Sequence, residues 1–262
     1  MDRQEVMVEG ATISVVDEGD GPPVVLVPGL SMSIERWVDA GYVTALVDAG
    51  RRVVAMDPLG HGESSRDGDP AAYEPGRLVD HIVAVLDARG LPSAALWGYS
   101  RGAQMAGQVA RAVPDRVDAL VYGGNVLFDT RPVLEALGMA PDPAALEAGF
   151  QRASAGDWGA FWEHFPLPIP DPTKRDIEAR NHLPSIAAAS RAGQLDPIAW
   201  QVPHDVRTLA VWGSEEIFHG MNEEAAAEQG LDHATVPGGH AQAFDPAGPM
   251  LGVVLPWLDA PV

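Results

Sequence analysis

The chain has 262 residues, 46% apolar and 6% aromatic, with 28 glycines, 23 prolines and no cysteine. One hydrophobic core suffices at this length, and the missing cysteines exclude disulfide frames, thiolate metal sites and cysteine nucleophiles. Seventeen basic residues against 37 acidic ones leave a net charge of −20, with no basic run longer than Arg51-Arg52 or Lys174-Arg175, so a nucleic-acid surface is excluded.

Met1 to Gly10 is polar and acidic, and no apolar run reaches the roughly 18 residues of a spanning helix. Neither a signal peptide nor a membrane segment is expected, and the protein is read as cytoplasmic, a monomer or homodimer acting on a small molecule. Glu5 to Glu9 and Thr12 to Asp17 alternate polar and apolar residues, which predicts a hairpin. Val24 to Val27 is apolar at every position and ends at Pro28-Gly29. Similar runs recur at Val53 to Met56, Ala94 to Trp97, Val117 to Tyr122 and Leu209 to Trp212. Continuous runs of this kind belong to parallel strands covered on both faces. Helical spacing appears between them, over Ile34 to Val47, Arg77 to Ala88 and Gly102 to Val113. Strand and helix alternate, so the expected fold is α/β: a doubly wound, mostly parallel sheet of about eight strands with an antiparallel edge.

The alternation stops after the sixth strand. From Val126 to His204 there are short helical stretches, Pro132 to Leu137, Ala144 to Ala153, Trp158 to His164 and Pro184 to Arg191, set apart by prolines that include Pro166, Pro168, Pro170 and Pro172. This predicts a helical cap over residues 126–204, inserted into a core made of 1–125 and 205–262. Trp158, Phe161, Trp162 and Phe165 share a helical spacing within it.

Gly98-Tyr99-Ser100-Arg101-Gly102 follows a predicted strand and opens a predicted helix. The G-x-S-x-G string is weak evidence alone, and its context gives it meaning. A serine on such a turn needs small residues two positions away on either side. Its hydroxyl then stands at the carboxyl edge of the sheet, where the helix amino end offers N–H groups.

With these residues in view, the chain resembles the α/β-hydrolase fold superfamily over essentially its whole length. Four segments carry the likeness: Val27-Pro28-Gly29-Leu30, Asp57-Pro58-Leu59-Gly60-His61-Gly62-Glu63-Ser64, the Gly98 to Gly102 turn, and the pair Trp212-Gly213-Ser214-Glu215-Glu216 with Val236-Pro237-Gly238-Gly239-His240. The resemblance implies Ser100 as nucleophile, His240 as its base just before a final helix starting near Phe244, and the backbone N–H groups of Leu30 and Arg101 as the oxyanion hole. Pro28-Gly29 stands where many members carry His-Gly. His61, between glycines, is read as a loop-packing residue.

A base needs an acceptor that fixes its tautomer and stabilises the imidazolium. The resemblance favours Glu216, with Glu215 as competitor and Asn125 or Asp129, after the sixth strand, as further options. A serine at position 100 argues against epoxide and haloalkane hydrolysis, which proceed through an ester on a carboxylate nucleophile. Acyl transfer to water follows, without metal or organic cofactor. The expected substrate is a neutral, partly apolar ester or lactone, with Met32, Tyr99, Phe128, Trp158, Phe161, Trp162 and Phe218 as candidate pocket residues. Carbon–carbon bond hydrolysis, perhydrolysis, a lyase reaction, and a non-catalytic binding or sensing role stay open.

Overall fold

A computed structural model describes residues 1–140, 142–164, 171–195 and 201–261. The predicted hairpin forms β1 (Arg3–Val8) and β2 (Ala11–Glu18), paired antiparallel from Arg3 opposite Val16 to Val8 opposite Ala11. The apolar runs become β3 (Pro23–Val27), β4 (Arg52–Met56), β5 (Ala94–Tyr99), β6 (Val117–Gly123) and β7 (Thr208–Gly213), and β8 (Asp232–Val236) closes the far edge. The eight strands lie in the order β1-β2-β4-β3-β5-β6-β7-β8, with β2 antiparallel to β4 and every pair from β4 to β8 parallel.

Strand side chains alternate between faces, and both faces here are covered. Val25, Val27, Val54 and Leu96 pack with one helical layer, while Val24, Leu26, Val53 and Trp97 pack with the other. This two-sided burial is why the central strands β3, β4 and β5 are almost wholly apolar, each buried Val or Leu contributing about 1.5–3 kcal/mol.

The predicted helix over Ile34 to Val47 divides into α1 (Ile34–Asp39) and α2 (Tyr42–Asp48). Gly41 is the reason: at φ 93° it takes a left-handed conformation that ends one helix and begins the next. Helices α3 (Pro75–Ala88) and α4 (Arg101–Ala112) match their predicted ranges to within two residues. Between β6 and β7 the described residues hold α5 (Arg131–Ala136), α6 (Pro143–Ser154), α7 (Trp158–His164), α8 (Asp171–Arg180) and α9 (Leu183–Leu195). The sequence pattern does not predict α8. Phe165 and the prolines at 166, 168 and 170 lie outside the described residues. Helix α10 (His219–Glu228) joins β7 to β8. The single final helix expected near Phe244 is instead a short α11 (His240–Phe244), which His240 itself opens, followed by α12 (Gly248–Asp259). Among the described residues no helix is long and apolar enough to cross a membrane.

Parallel pairing decides where chemistry can occur. Strands β3, β5, β6, β7 and β8 all end on one edge, so the turns at Gly29, Ser100, Gly124, Ser214 and Gly238 gather there.

Candidate active site

Ser100 sits between β5 and α4 at φ 54° and ψ −121°, a backbone conformation seldom held by a residue with a side chain. Its neighbours impose it. The Ser100 N–H donates to the Gly123 carbonyl at 2.8 Å, and the Asn125 amide donates to the Ser100 carbonyl at 2.7 Å. Strand, turn and helix pass so closely that only glycine fits at either side. A Cβ on Gly98 would lie 2.2 Å from the Gly102 carbonyl oxygen, and one on Gly102 would lie 2.0 Å from that of Val27. The two glycines of the motif therefore have a steric cause.

The turn after β3 lies against the serine. Met32 N–H closes it on the Gly29 carbonyl at 3.0 Å, Ser31 occupies φ 63°, and a Cβ placed on Gly29 would stand 3.2 Å from the Ser100 Cβ. Leu30 lies in this turn and Arg101 is the first residue of α4, so both backbone segments expected to supply N–H donors flank Ser100.

His240 opens α11 with its Nδ1 3.4 Å from Glu216 Oε1, and the two side chains are each 13% exposed. The same Glu216 oxygen faces the Gly213 N–H at 3.4 Å. The Tyr99 hydroxyl donates to the His240 carbonyl at 2.5 Å, and the two rings lie 5.1 Å apart. Thus the residue preceding Ser100 also anchors the backbone of His240. Burial, reinforced by Glu216 and Tyr42, holds the Tyr99 hydroxyl in its protonated form as a donor.

The other acid candidates are placed elsewhere. Glu215 is exposed, and its backbone N–H donates to the Gly238 carbonyl at 3.0 Å. Asn125 spends its side chain on the Ser100 carbonyl and on the Val126 N–H at 2.8 Å. Asp129 pairs with Arg131 at 2.6 Å.

Ser100 and His240 open onto one cavity of about 60 Å³ with no hydrogen bond between their side chains. Met32 and Tyr99, predicted for the pocket, line it. The other five predicted residues do not. Phe128 and Phe218 pack edge to face on each other at 5.7 Å, and Trp158, Phe161 and Trp162 form their own cluster within the inserted helices, which touches Leu30. The roof is instead Thr173, Asp176, Ile177, Arg180 and Asn181, on or just after α8, with Arg36 and Phe244 at the side. Their only sequence signal is a polar stretch that carries no helical apolar stripe. Arg36 is paired with Asp245 at 2.8 Å and Arg180 with Asp176 at 2.6 Å.

His61 does not line the cavity. It is 4% exposed with Nδ1 2.9 Å from the Leu59 carbonyl oxygen, as a loop-packing residue would be. Burial pushes its pKa down from 6.5 to about 4; Arg101 adds to the lowering and the Leu59 carbonyl opposes it. Between those two values the unfolded chain binds a proton that the folded protein refuses, so stability falls as pH falls from 6.5 to 4. The expected loss is roughly 3 kcal/mol. Chemical denaturation at pH 7 and at pH 4 should show a wild-type stability difference larger by that amount than the difference in His61→Leu; equal differences would refute it.

The alpha/beta hydrolase fold family model matches residues 22–139. The chain is 31% identical over 232 residues to 2-hydroxymuconate semialdehyde hydrolase of Pseudomonas sp. (strain CF600), covering 81% of this chain and 77% of that one. It is 40% identical over 114 residues to epoxide hydrolase B of Mycobacterium tuberculosis, covering 44% of this chain and 31% of that protein. The solved enol-lactonase from Burkholderia xenovorans LB400 superposes with a TM-score of 0.76 at 17% identity, covering 98% of this chain and all of that one. The eight-stranded sheet, the turn at Ser100 and these similarities lead to one conclusion: the chain belongs to the alpha/beta hydrolase fold family.

Proposed function

We propose that this hydrolase cleaves a neutral, partly apolar carboxylic ester or lactone through an acyl-enzyme on Ser100. The observation that carries this is the meeting, at one cavity, of a serine held in a strained turn and a histidine whose Nδ1 faces a carboxylate.

Ser100 Oγ attacks the substrate carbonyl carbon as its proton passes to His240. Glu216 holds the imidazole in the right tautomer and stabilises its cation. The Leu30 and Arg101 amides receive the oxyanion. His240 then returns the proton to the leaving alcohol, and water, deprotonated by the same imidazole, releases the acid. The scheme uses no metal or organic cofactor. The inserted helices, within residues 126–204, act as a cap on the core of 1–125 and 205–262, and the walls of Leu30, Met32, Ile177 and Phe244 suit a small apolar acyl group.

A second assignment, carbon–carbon bond hydrolysis by the same residues, is favoured by the 31% identity to 2-hydroxymuconate semialdehyde hydrolase over 77% of that enzyme. A panel of short p-nitrophenyl esters, small lactones and that semialdehyde separates the two. Ester or lactone turnover with kcat/KM of at least about 10⁴ M⁻¹s⁻¹ is expected. Preference for the semialdehyde would move the assignment to the second, and turnover of none would refute both.

A further inference from the structure

Asn181 stands where the inserted helices meet the loops at the carboxyl edge of the sheet. Its side-chain amide donates to the Ser31 carbonyl at 2.9 Å and to the Ile177 carbonyl at 2.9 Å, while its Oδ1 faces the Gly62 N–H at 3.5 Å. One half-buried side chain therefore ties together α8, the turn after β3 and the loop after β4.

The turn it holds is a strained one. Ser31 is 3% exposed at φ 63°, and the described residues have only two other non-glycine residues at positive φ, Glu9 and Ser100. A buried serine keeps a left-handed conformation only where its surroundings over-determine it. Within the turn the restraints are the Met32 to Gly29 closure and the bond from Ser31 Oγ to the Leu30 carbonyl at 2.5 Å. Leu30 adds packing on the main core and, from the insertion, on the cluster of Phe161, Leu183 and Ile186; the insertion also supplies the Asn181 amide on the Ser31 carbonyl.

We propose that Asn181 is a positioning residue that couples the seating of the inserted helices to assembly of the oxyanion hole. By holding the Ser31 carbonyl it keeps the Gly29–Met32 turn in the conformation that aims the Leu30 N–H beside Ser100. With the helices seated the donor is aimed; with them displaced, Ser31 relaxes toward negative φ and the donor swings away. The oxyanion hole is then complete only over an enclosed substrate, which limits reaction with molecules too large for the helices to close upon. This rests on the acyl-enzyme assignment above.

A donor aimed at an oxyanion acts in the transition state, so its misplacement lowers kcat more than it raises KM. Asn181→Leu and the nearly isosteric Asn181→Asp, which lacks the N–H donor, are to be compared with wild type on the best ester of the panel. Each is expected to lower kcat about 10- to 100-fold with KM changed less than about threefold. Amide hydrogen exchange across residues 29–32 should quicken in both, a readout that needs no activity. Glycine tolerates positive φ without strain, so the loss caused by Asn181→Leu should shrink at least about threefold in a Ser31→Gly background.

Wild-type kcat in both variants overturns the proposal, as does a loss confined to KM, which would mark a substrate contact. An undiminished loss in the Ser31→Gly background, or unchanged exchange over residues 29–32, also overturns it. If wild type turns over esters and Ser100 is labelled by a fluorophosphonate while Asn181 proves indifferent, only this inference falls. If wild type neither labels nor turns over, the acyl-enzyme assignment falls and the catalytic part of this one falls with it.

Discussion

Ser100→Ala is expected to lower ester turnover by about 10⁵- to 10⁶-fold and to abolish labelling by a fluorophosphonate. The size follows from what the hydroxyl does. In the proposed mechanism no covalent intermediate forms without Oγ, and the Leu30 and Arg101 amides can assist only direct attack by water. That residual route leaves some rate above the uncatalysed reaction. The variant should fold as wild type does, because Ser100 is held through its backbone, by the Gly123 carbonyl and the Asn125 amide. Alanine also carries no more strain at φ 54° than serine does. Mass spectrometry of the labelled protein should place the adduct on the peptide containing Ser100. A Ser100→Ala protein that retains a tenth of wild-type turnover would show that another group attacks.

Glu216→Gln is expected to lower kcat by about 10³- to 10⁴-fold, while Glu215→Gln changes it less than about twofold. A glutamine at 216 presents either a neutral oxygen or an N–H to His240 Nδ1. The first cannot stabilise imidazolium by charge, and the second favours the tautomer that leaves Nε2 unable to accept the serine proton. Glu215 is one residue away but exposed, and its connection to the His240 loop is through its backbone N–H, which the substitution leaves intact. Steady-state kinetics of the two variants decide the matter, and a reversed pattern would move the acid to Glu215. Loss in neither would point to the residues after β6.

The elements on which this chemistry stands were legible because they are local. A strand covered on both faces must be apolar at every position, so Val24 to Val27 and Ala94 to Trp97 announce themselves. The turn at Ser100 must have glycine two residues away on each side, because a Cβ at either would strike backbone. The break at Gly41 was less visible, since glycine is tolerated inside helices and only its φ of 93° separates α1 from α2.

The roof of the cavity was hidden for a different reason. Helix α8, Asp-Pro-Thr-Lys-Arg-Asp-Ile-Glu-Ala-Arg, buries only Ile177, so it has no apolar stripe to betray it. The conspicuous aromatic residues Trp158, Phe161 and Trp162 are the obvious pocket candidates, yet they pack on one another and on Leu30, Leu183 and Ile186.

By itself the sequence determined the layered sheet, the strand-to-helix bend that carries an alcohol and the late histidine, because burial on two faces and close backbone passage constrain residue types at fixed spacing. Only the tertiary structure decided which glutamate faces His240, which residues wall the cavity and that Asn181 grips the turn beside Ser100. Those are contacts between residues from 24 to 150 positions apart, and they depend on where each loop turns after leaving the sheet, a direction that no local pattern encodes.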